Sequence, residues 1–231
     1  MAVCGVVLAA GAGSRMGTPK ALMRTPSGEP WLAVACRLLL AAGCARVVVV
    51  LGAAAHEAAL LLPADARVGS VVNAEWADGM ASSLRAGLAA ASEAGGDAAL
   101  VALVDMPALP GSVVVRVLGV VSSISTVRAV PAAPAVQSAP ATSAVSAAPA
   151  VPAGRAVSTT SLARAVFGGR PGHPVLIGRD HWVPLSATLA GDHGARAYLD
   201  AHGVAEVECG DLYDGHDVDS PGTDGSGAGA R

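Results

Sequence analysis

The residues with the greatest capacity for chemistry lie close to the amino terminus. In the segment LAAGAGSRMGTPKAL, Gly11, Gly13 and Gly17 fall within seven residues. Such spacing lets the backbone turn sharply and gather several N–H groups in one concavity, which suits anionic oxygens. Arg15 and Lys20 add two positive charges to the same loop. Arginine offers a fixed fork to phosphate, and lysine a compact point charge on a flexible stem. The pair suits a triphosphate better than a singly charged ligand. Lys20 is also the only lysine among the 15 basic residues. A Walker A loop requires Gly-Lys-Ser/Thr, and Pro19 between Thr18 and Lys20 breaks that pattern. A dinucleotide fingerprint requires G-x-G-x-x-G, one residue tighter than the spacing here. A plain strand-to-helix turn carrying surface charges is the remaining reading.

A second signal is Asp105 in LVDMP. An aspartate directly after a buried strand projects into the cleft that the glycine loop faces. Opposite a triphosphate it would repel, unless a divalent cation stood between them. The competing reading is a helix cap or turn. Near the carboxyl terminus, HDVDSPG places Asp217 and Asp219 on one side of an extended chain. One of them could complete a Mg2+ site with Asp105, since Mg2+ takes one or two carboxylates plus substrate phosphates. In NAEWADGMASSLRAGL, Gly79, Ser82 and Ser83 open a helix, where they can cap it or hydrogen-bond a base or ribose. Arg170, His173, Asp192, His193 and Arg196 form a later polar group suited to an acceptor substrate.

These residues must be positioned by elements that alternate between strand and helix. Strands are predicted at 3–9, 46–51, 68–73 and 98–104, with helices at 31–42, 54–62 and 80–94. Four consecutive valines in the second strand fit burial on both faces. This rhythm implies an α/β fold with a mostly parallel sheet between helical layers, and ligands then bind at the carboxyl ends of strands. From about 122 to 160 the chain turns to Ala, Pro, Ser and Val without period, which reads as a mobile insertion. Order resumes near 163–167, followed by a Gly/Pro loop at 168–174, a strand at 175–177, a helix at 192–202 and a strand at 204–209. Residues 1–219 are thus expected to form one interrupted domain, followed by a disordered tail at 220–231.

Composition narrows the field. The chain has 231 residues, 52% hydrophobic and 14% charged, so it can build a core. With 3% aromatics, that core must consist mainly of Ala, Val and Leu. A net charge of -3 argues against nucleic acid as a partner. No uninterrupted apolar run reaches membrane-spanning length, and no signal peptide is read. Cys4, Cys36, Cys44 and Cys209 lack C-x-x-C spacing, which suggests reduced, buried thiols in a cytoplasmic protein.

Five segments taken in order resemble the MobA-like nucleotidyltransferase family, and most closely its molybdenum cofactor cytidylyltransferases. They are LAAGAGSRMGTPKAL, NAEWADGMASSLRAGL, LVDMPAL, GRPGHPVLIG and GDHGARAYL. The resemblance implies a Rossmann-like three-layer sandwich that transfers a nucleoside monophosphate from an NTP. It implies that Gly11, Gly13, Arg15 and Lys20 hold the triphosphate, that Leu8, Ala9, Ala10, Gly79 and Ser83 border the nucleoside, and that Asp105 and Asp219 bind Mg2+. Arg15, Lys20 and Asp105 would be catalytic, and Arg170, His173, Asp192 and Arg196 would meet the acceptor. Guanylyltransferases of the family usually carry LAGG where this chain has LAAG. The added bulk at Ala10 favours a pyrimidine, so CTP is the expected donor. A phosphorylated acceptor, molybdopterin or molybdenum cofactor, and a transient molybdoenzyme partner are expected with it. The insertion and the ending DVDSPGTDG depart from the family pattern. Two rival classes stay open: an NAD(P)-linked oxidoreductase using the same loop, and a non-catalytic nucleotide- or cofactor-binding module.

Overall fold

A computed structural model describes residues 1–14, 16–124 and 157–218. Strand β1 (Val3–Ala9) is buried at every position. It lies between β2 (Arg46–Leu51) and β4 (Ala98–Leu103), parallel to both, and β3 (Val68–Val72) pairs with β2. The full order is β3-β2-β1-β4-β6-β5-β7. Of the last three, β6 (Arg170–Gly178) runs antiparallel to β4, β5 (Leu162–Phe167) antiparallel to β6, and β7 (Ala205–Glu208) parallel to β5.

Alternation along the buried strands sends successive side chains to opposite faces. On one face Val7, Val47, Val49 and Leu100 meet helices α1 (Trp31–Ala41) and α4 (Gly111–Ile124), through Leu32, Cys36 and Leu39 and through Val113, Val114 and Val117. Ala58 of the short α2 (Ala55–Ala59) joins this core. On the other face Val6, Val48, Val50, Val101 and Ile177 meet α3 (Met80–Glu93), α5 (Trp182–Thr188) and α6 (Arg196–Ala201), through Leu84, Leu88, Leu185 and Leu199. The expected three-layer α/β sandwich is therefore the fold, with aliphatic cores on both sides of a mostly parallel sheet.

Chain direction places the ligand crevice. From β1 the chain builds outward to β2 and β3, then returns to lay β4 on the opposite side of β1. That reversal opens a gap at the carboxyl ends of β1 and β4, the usual ligand position in open α/β sheets. In register, Leu8 stands beside Leu103, and the Val104 N–H continues the ladder to the Leu8 carbonyl at 3.2 Å. The glycine loop and Asp105 thus leave adjacent strands on the same edge.

The later half differs from its expected layout in four places. Helix α4 runs through Ile124, so the insertion expected from 122 starts later, and Val157 already packs on the core. Its β-branched residues read poorly as helix, but an apolar face against the sheet overrides that weak preference. The expected loop at 168–174 is instead a two-residue hairpin. Gly168 and Gly169 take φ of +58° and +76°, and Phe167 pairs with Arg170. Paired positive φ angles match the strand twist in such turns, so β6 starts at once. Helix α5 was not anticipated, and α6 starts at Arg196 rather than 192 because residues 190–193 form a turn closed by Ala190 and His193. The expected tail at 220–231 and the segment 125–156 lie outside the described residues.

All four cysteines are free and buried, as expected. Burial pushes the Cys4 thiol to about 11 and those of Cys36 and Cys44 to about 12, so these three stay protonated and unreactive near neutrality. Among the described residues no helix is long and apolar enough to cross a membrane.

Candidate nucleotide site

The loop after β1 is held by a contact that only glycine permits. Gly13 has φ of +64°, and a Cβ there would sit 1.9 Å from the Thr18 carbonyl oxygen. The loop closes on itself through the Met16 N–H to the Gly13 carbonyl at 2.9 Å. It ends in a short 3-10 turn, Lys20–Leu22, anchored by buried Ala21. Lys20 therefore projects from a fixed base. Its ammonium donates to Asp105 Oδ2 at 2.7 Å, across the gap between the two strand ends.

Asp105 has an unusual balance of partners. While Oδ2 receives Lys20, Oδ1 is buried and accepts no hydrogen bond. A desolvated carboxylate oxygen without a partner is costly and is commonly explained by a missing ion or water. The carboxyl-terminal segment closes this side, as the Val218 N–H donates to the Asp105 carbonyl at 2.9 Å. Asp217 is thereby brought near Asp105, and both fields act on the same neighbours: with Asp214 and burial they raise the Tyr213 phenol above its ordinary value. Asp219, the next residue beyond Val218, lies outside the described residues, as does Arg15. Among the described residues no group of three or more His, Cys, Asp or Glu could hold a metal. One bare carboxylate oxygen nevertheless fits Mg2+, which completes its shell with water and substrate phosphate.

The opposite wall comes from the start of α3. Gly79, at φ of +102°, lets the turn containing Gly191 and Asp192 approach so closely that a Cβ would lie 2.5 Å from Asp192 Oδ1. The Ala81 N–H donates to the Gly191 carbonyl at 3.0 Å. Buried Asn73, just past β3, donates to Ser82 Oγ at 2.8 Å and Ser83 Oγ at 3.1 Å. The Ser82 hydroxyl donates onward to the carbonyls of Glu75 and Gly79. Ser83 accepts from Asn73, which leaves its own proton for a ligand in the cleft.

Leu8, Ala9, Ala10, Gly11, Gly13, Lys20, Gly79, Ser83 and Asp105 all line one cleft of about 730 Å3. Asp192, expected beside the acceptor, lines this cleft too, because its turn packs on Gly79. His173 and Arg196 line a second cavity of about 210 Å3, separated from the first by Leu8 and Met80. Arg170 lines neither; it stands exposed after the hairpin, its Nη2 3.5 Å from the Asp214 carbonyl. Three contributors were missed in the sequence. Asn73 and Trp76 lay unremarked in NAEWADG, while Arg164 in the second cavity has no local signal.

His173 reaches the carboxyl end of β4 because Val175 pairs with Val101 in the antiparallel β4–β6 ladder. Burial lowers its imidazole to about 4, against the opposing pull of Asp105 and Asp217. The unfolded chain takes up this proton near 6.5, so His173 supports the native state above that pH and the support is lost as pH falls toward 4. In metal-free buffer the expected loss is about 1–3 kcal/mol, because the half-buried side chain lines an open cavity where solvent softens the cost. Urea titrations at several pH values should show a shallower dependence for His173→Gln, and parallel curves would refute the assignment.

An open sheet with a glycine loop, a lysine and a carboxylate at its reversal point forms an α/β ligand crevice suited to anionic groups. The chain belongs to the family described as the MobA-like NTP transferase domain, whose model matches residues 5–207. It is 35% identical over 222 residues to the nicotine blue oxidoreductase of Paenarthrobacter nicotinovorans, covering 94% of this chain and 92% of that one. Among solved structures it resembles a nucleotidyl transferase from Methanothermobacter thermautotroptrophicus, with a TM-score of 0.66, 21% identity, and 95% and 92% of the two chains covered. It also resembles Rv0371c from Mycobacterium tuberculosis, with a TM-score of 0.65, 23% identity, and 95% and 93% covered. A manganese complex of Rv0371c aligns at a TM-score of 0.60 with 20% identity, over 90% and 89% of the chains.

Proposed function

We propose that this protein transfers a nucleoside monophosphate, CMP from CTP by preference, to a phosphorylated acceptor and releases pyrophosphate. The observation that carries this reading is the Lys20–Asp105 pair spanning the glycine loop, with Asp105 Oδ1 bare. Loop N–H groups, Lys20 and Arg15 hold the triphosphate, and Ser83 donates to the nucleoside. Asp105, aided by Asp217 or Asp219, would hold Mg2+, which supplies charge neutralisation at the phosphates. An oxygen of the acceptor phosphate attacks the α-phosphorus in line, and the bond to the pyrophosphate oxygen breaks. A phosphate monoester is ionised near neutrality, so no protein base is needed. The chain's part is alignment and charge stabilisation.

Membership of the family supports an NTP donor, and the methyl of Ala10, buried in the cleft wall, supports a pyrimidine one. The acceptor proposed is molybdopterin or molybdenum cofactor, delivered onward to a molybdoenzyme, and the reduced thiols suit the cytoplasm. A second reading, reduction with a nicotinamide cofactor, follows from the name carried by the 35% identical relative. The test is binding and turnover of the four NTPs, NADH and NADPH, with and without Mg2+ or Mn2+, with product masses for candidate acceptors. Metal-dependent pyrophosphate release with CTP upholds the transferase. Metal-independent NAD(P)H binding without it favours the oxidoreductase, and tight CTP binding without turnover favours a non-catalytic module.

A further inference from the structure

The chain after β7 runs back across the molecule as a strap. It leaves the sheet at Cys209, whose N–H donates to the Val166 carbonyl at 2.7 Å. It turns at once, with the Leu212 and Tyr213 N–H groups both donating to the Cys209 carbonyl. At Val218 it meets the site, where the N–H donates to the Asp105 carbonyl at 2.9 Å. Between these points the strap is pinned on Phe167, the last residue of β5 and the only phenylalanine in the chain. The Phe167 side chain is buried. Tyr213 meets it edge to face, with ring centroids 5.7 Å apart and planes at 84°, an arrangement that aromatic quadrupoles favour. Gly215, at φ of +79°, then lays bare backbone on the same ring, since a Cβ there would lie 2.5 Å from Phe167 Cδ2. Gly172 of β6 also confines the ring, with a Cβ there only 2.7 Å from Cε2, so the ring has little room to yield. The Tyr213 hydroxyl donates to the His216 carbonyl and ties this pin to the last stretch of the strap.

We infer that Phe167, Tyr213 and Gly215 form a pin that positions the acidic residues of the site, Asp105 through the Val218 N–H and Asp217 through the strap itself. The three line neither cavity and act only through those two residues. Asp105 must offer Oδ1 to a cation while Oδ2 receives Lys20, which requires a fixed backbone beneath it. Groups that orient a metal ligand from behind change metal affinity by about 10–100-fold when lost. The inference rests on the reading of Asp105 as a metal ligand.

The test uses the full chain without nucleotide and reads two quantities. One is uptake of Mn2+, followed through the spin-resonance signal of the free ion; the other is hydrogen exchange at the Val218 amide. The wild type should bind Mn2+, and Asp105→Asn should not. Gly215→Ala drives a Cβ against the ring. It should speed exchange at Val218 and weaken Mn2+ binding about tenfold, with a Tm within about 2–4 °C of the wild type. Tyr213→Leu removes the ring edge and the hydroxyl but keeps apolar bulk. It should act in the same direction, and decides the matter if Gly215→Ala fails to fold. Wild-type Mn2+ affinity in a folded variant, or Val218 exchange that does not change, overturns the positioning role and leaves Asp105 its metal. A wild type that takes up no Mn2+, or takes it up equally after Asp105→Asn, sinks the metal reading and the positioning role with it.

Discussion

Asp105→Asn is expected to lower metal-dependent pyrophosphate release by about 10³-fold, the scale on which lost charge stabilisation is measured in active sites. The same variant should fold normally. One carboxylate oxygen of Asp105 has no partner, and its burial without one already costs the native state about 1–3 kcal/mol. Neutralising the side chain lowers that cost, since a buried amide is cheaper to leave unpaired than a carboxylate, and it gives up the ion pair with Lys20. The two changes oppose each other, so stability should move by about 1 kcal/mol or less, or about 2–4 °C in Tm for a chain of this size. A residue kept only as a turn former or cap would behave oppositely, losing stability and little turnover. Steady-state pyrophosphate release with CTP and a thermal melt of the same preparation separate these cases. Full turnover in Asp105→Asn would remove the metal-binding role.

Which parts of this architecture were legible depends on how local their physics is. Strands β1, β2 and β4 announce themselves because a strand covered on both faces must be apolar nearly throughout, as RVVVVL shows. The glycine loop was legible for a similar reason, since its N–H groups and cations are neighbours in sequence. Asp105 could be paired with that loop through the general rule for strand ends in open α/β sheets. The β5–β6 hairpin carried a readable signal, Gly168–Gly169 between apolar runs, that was taken for a longer loop. Arg164 could not have been found: its partners lie 36 and 42 residues away, and nothing near it marks a buried cation. Sequence proximity groups Asp192 with His193 and Arg196, whereas in space it lines the first cleft. Its neighbour in space is Gly79, which a glycine-only approach brings within contact.

Under the proposed transfer reaction, the two cavities would divide the labour that a group transfer requires. Loop and lysine at the end of β1 line the first cleft, whereas the β5–β6 side offers mostly aliphatic walls with Arg164, His173 and Arg196 among them. Both substrates would approach the carboxyl end of the same parallel strands, where β1 and β4 part. The antiparallel addition of β6 is what carries His173 and Val175 from the second half up to that edge. On the proposed reading, the strand reversal would serve the acceptor side as the chain reversal at β1 would serve the nucleotide side.

Lys20→Ala is expected to be as damaging to turnover as the loss of Asp105, about 10³-fold, but with a different signature in stability. Removing the ammonium leaves both oxygens of a half-buried carboxylate without a charged partner, and losing one side of such a pair destabilises more than losing both. With the side chains 19% and 14% exposed, solvent softens the cost to about 1–2 kcal/mol. Millimolar Mg2+ should restore the Tm of Lys20→Ala, because the cation can neutralise the carboxylate that the lysine abandoned. It should not restore turnover, since the triphosphate still lacks its lysine. Lys20→Arg keeps the charge on a longer planar group from the same 3-10 turn, and so should retain stability while recovering only part of the rate. Melts in EDTA and in Mg2+, run beside pyrophosphate release, resolve all three variants. A Lys20→Ala protein whose Tm ignores Mg2+ would show that the carboxylate does not take up the ion when its lysine is gone.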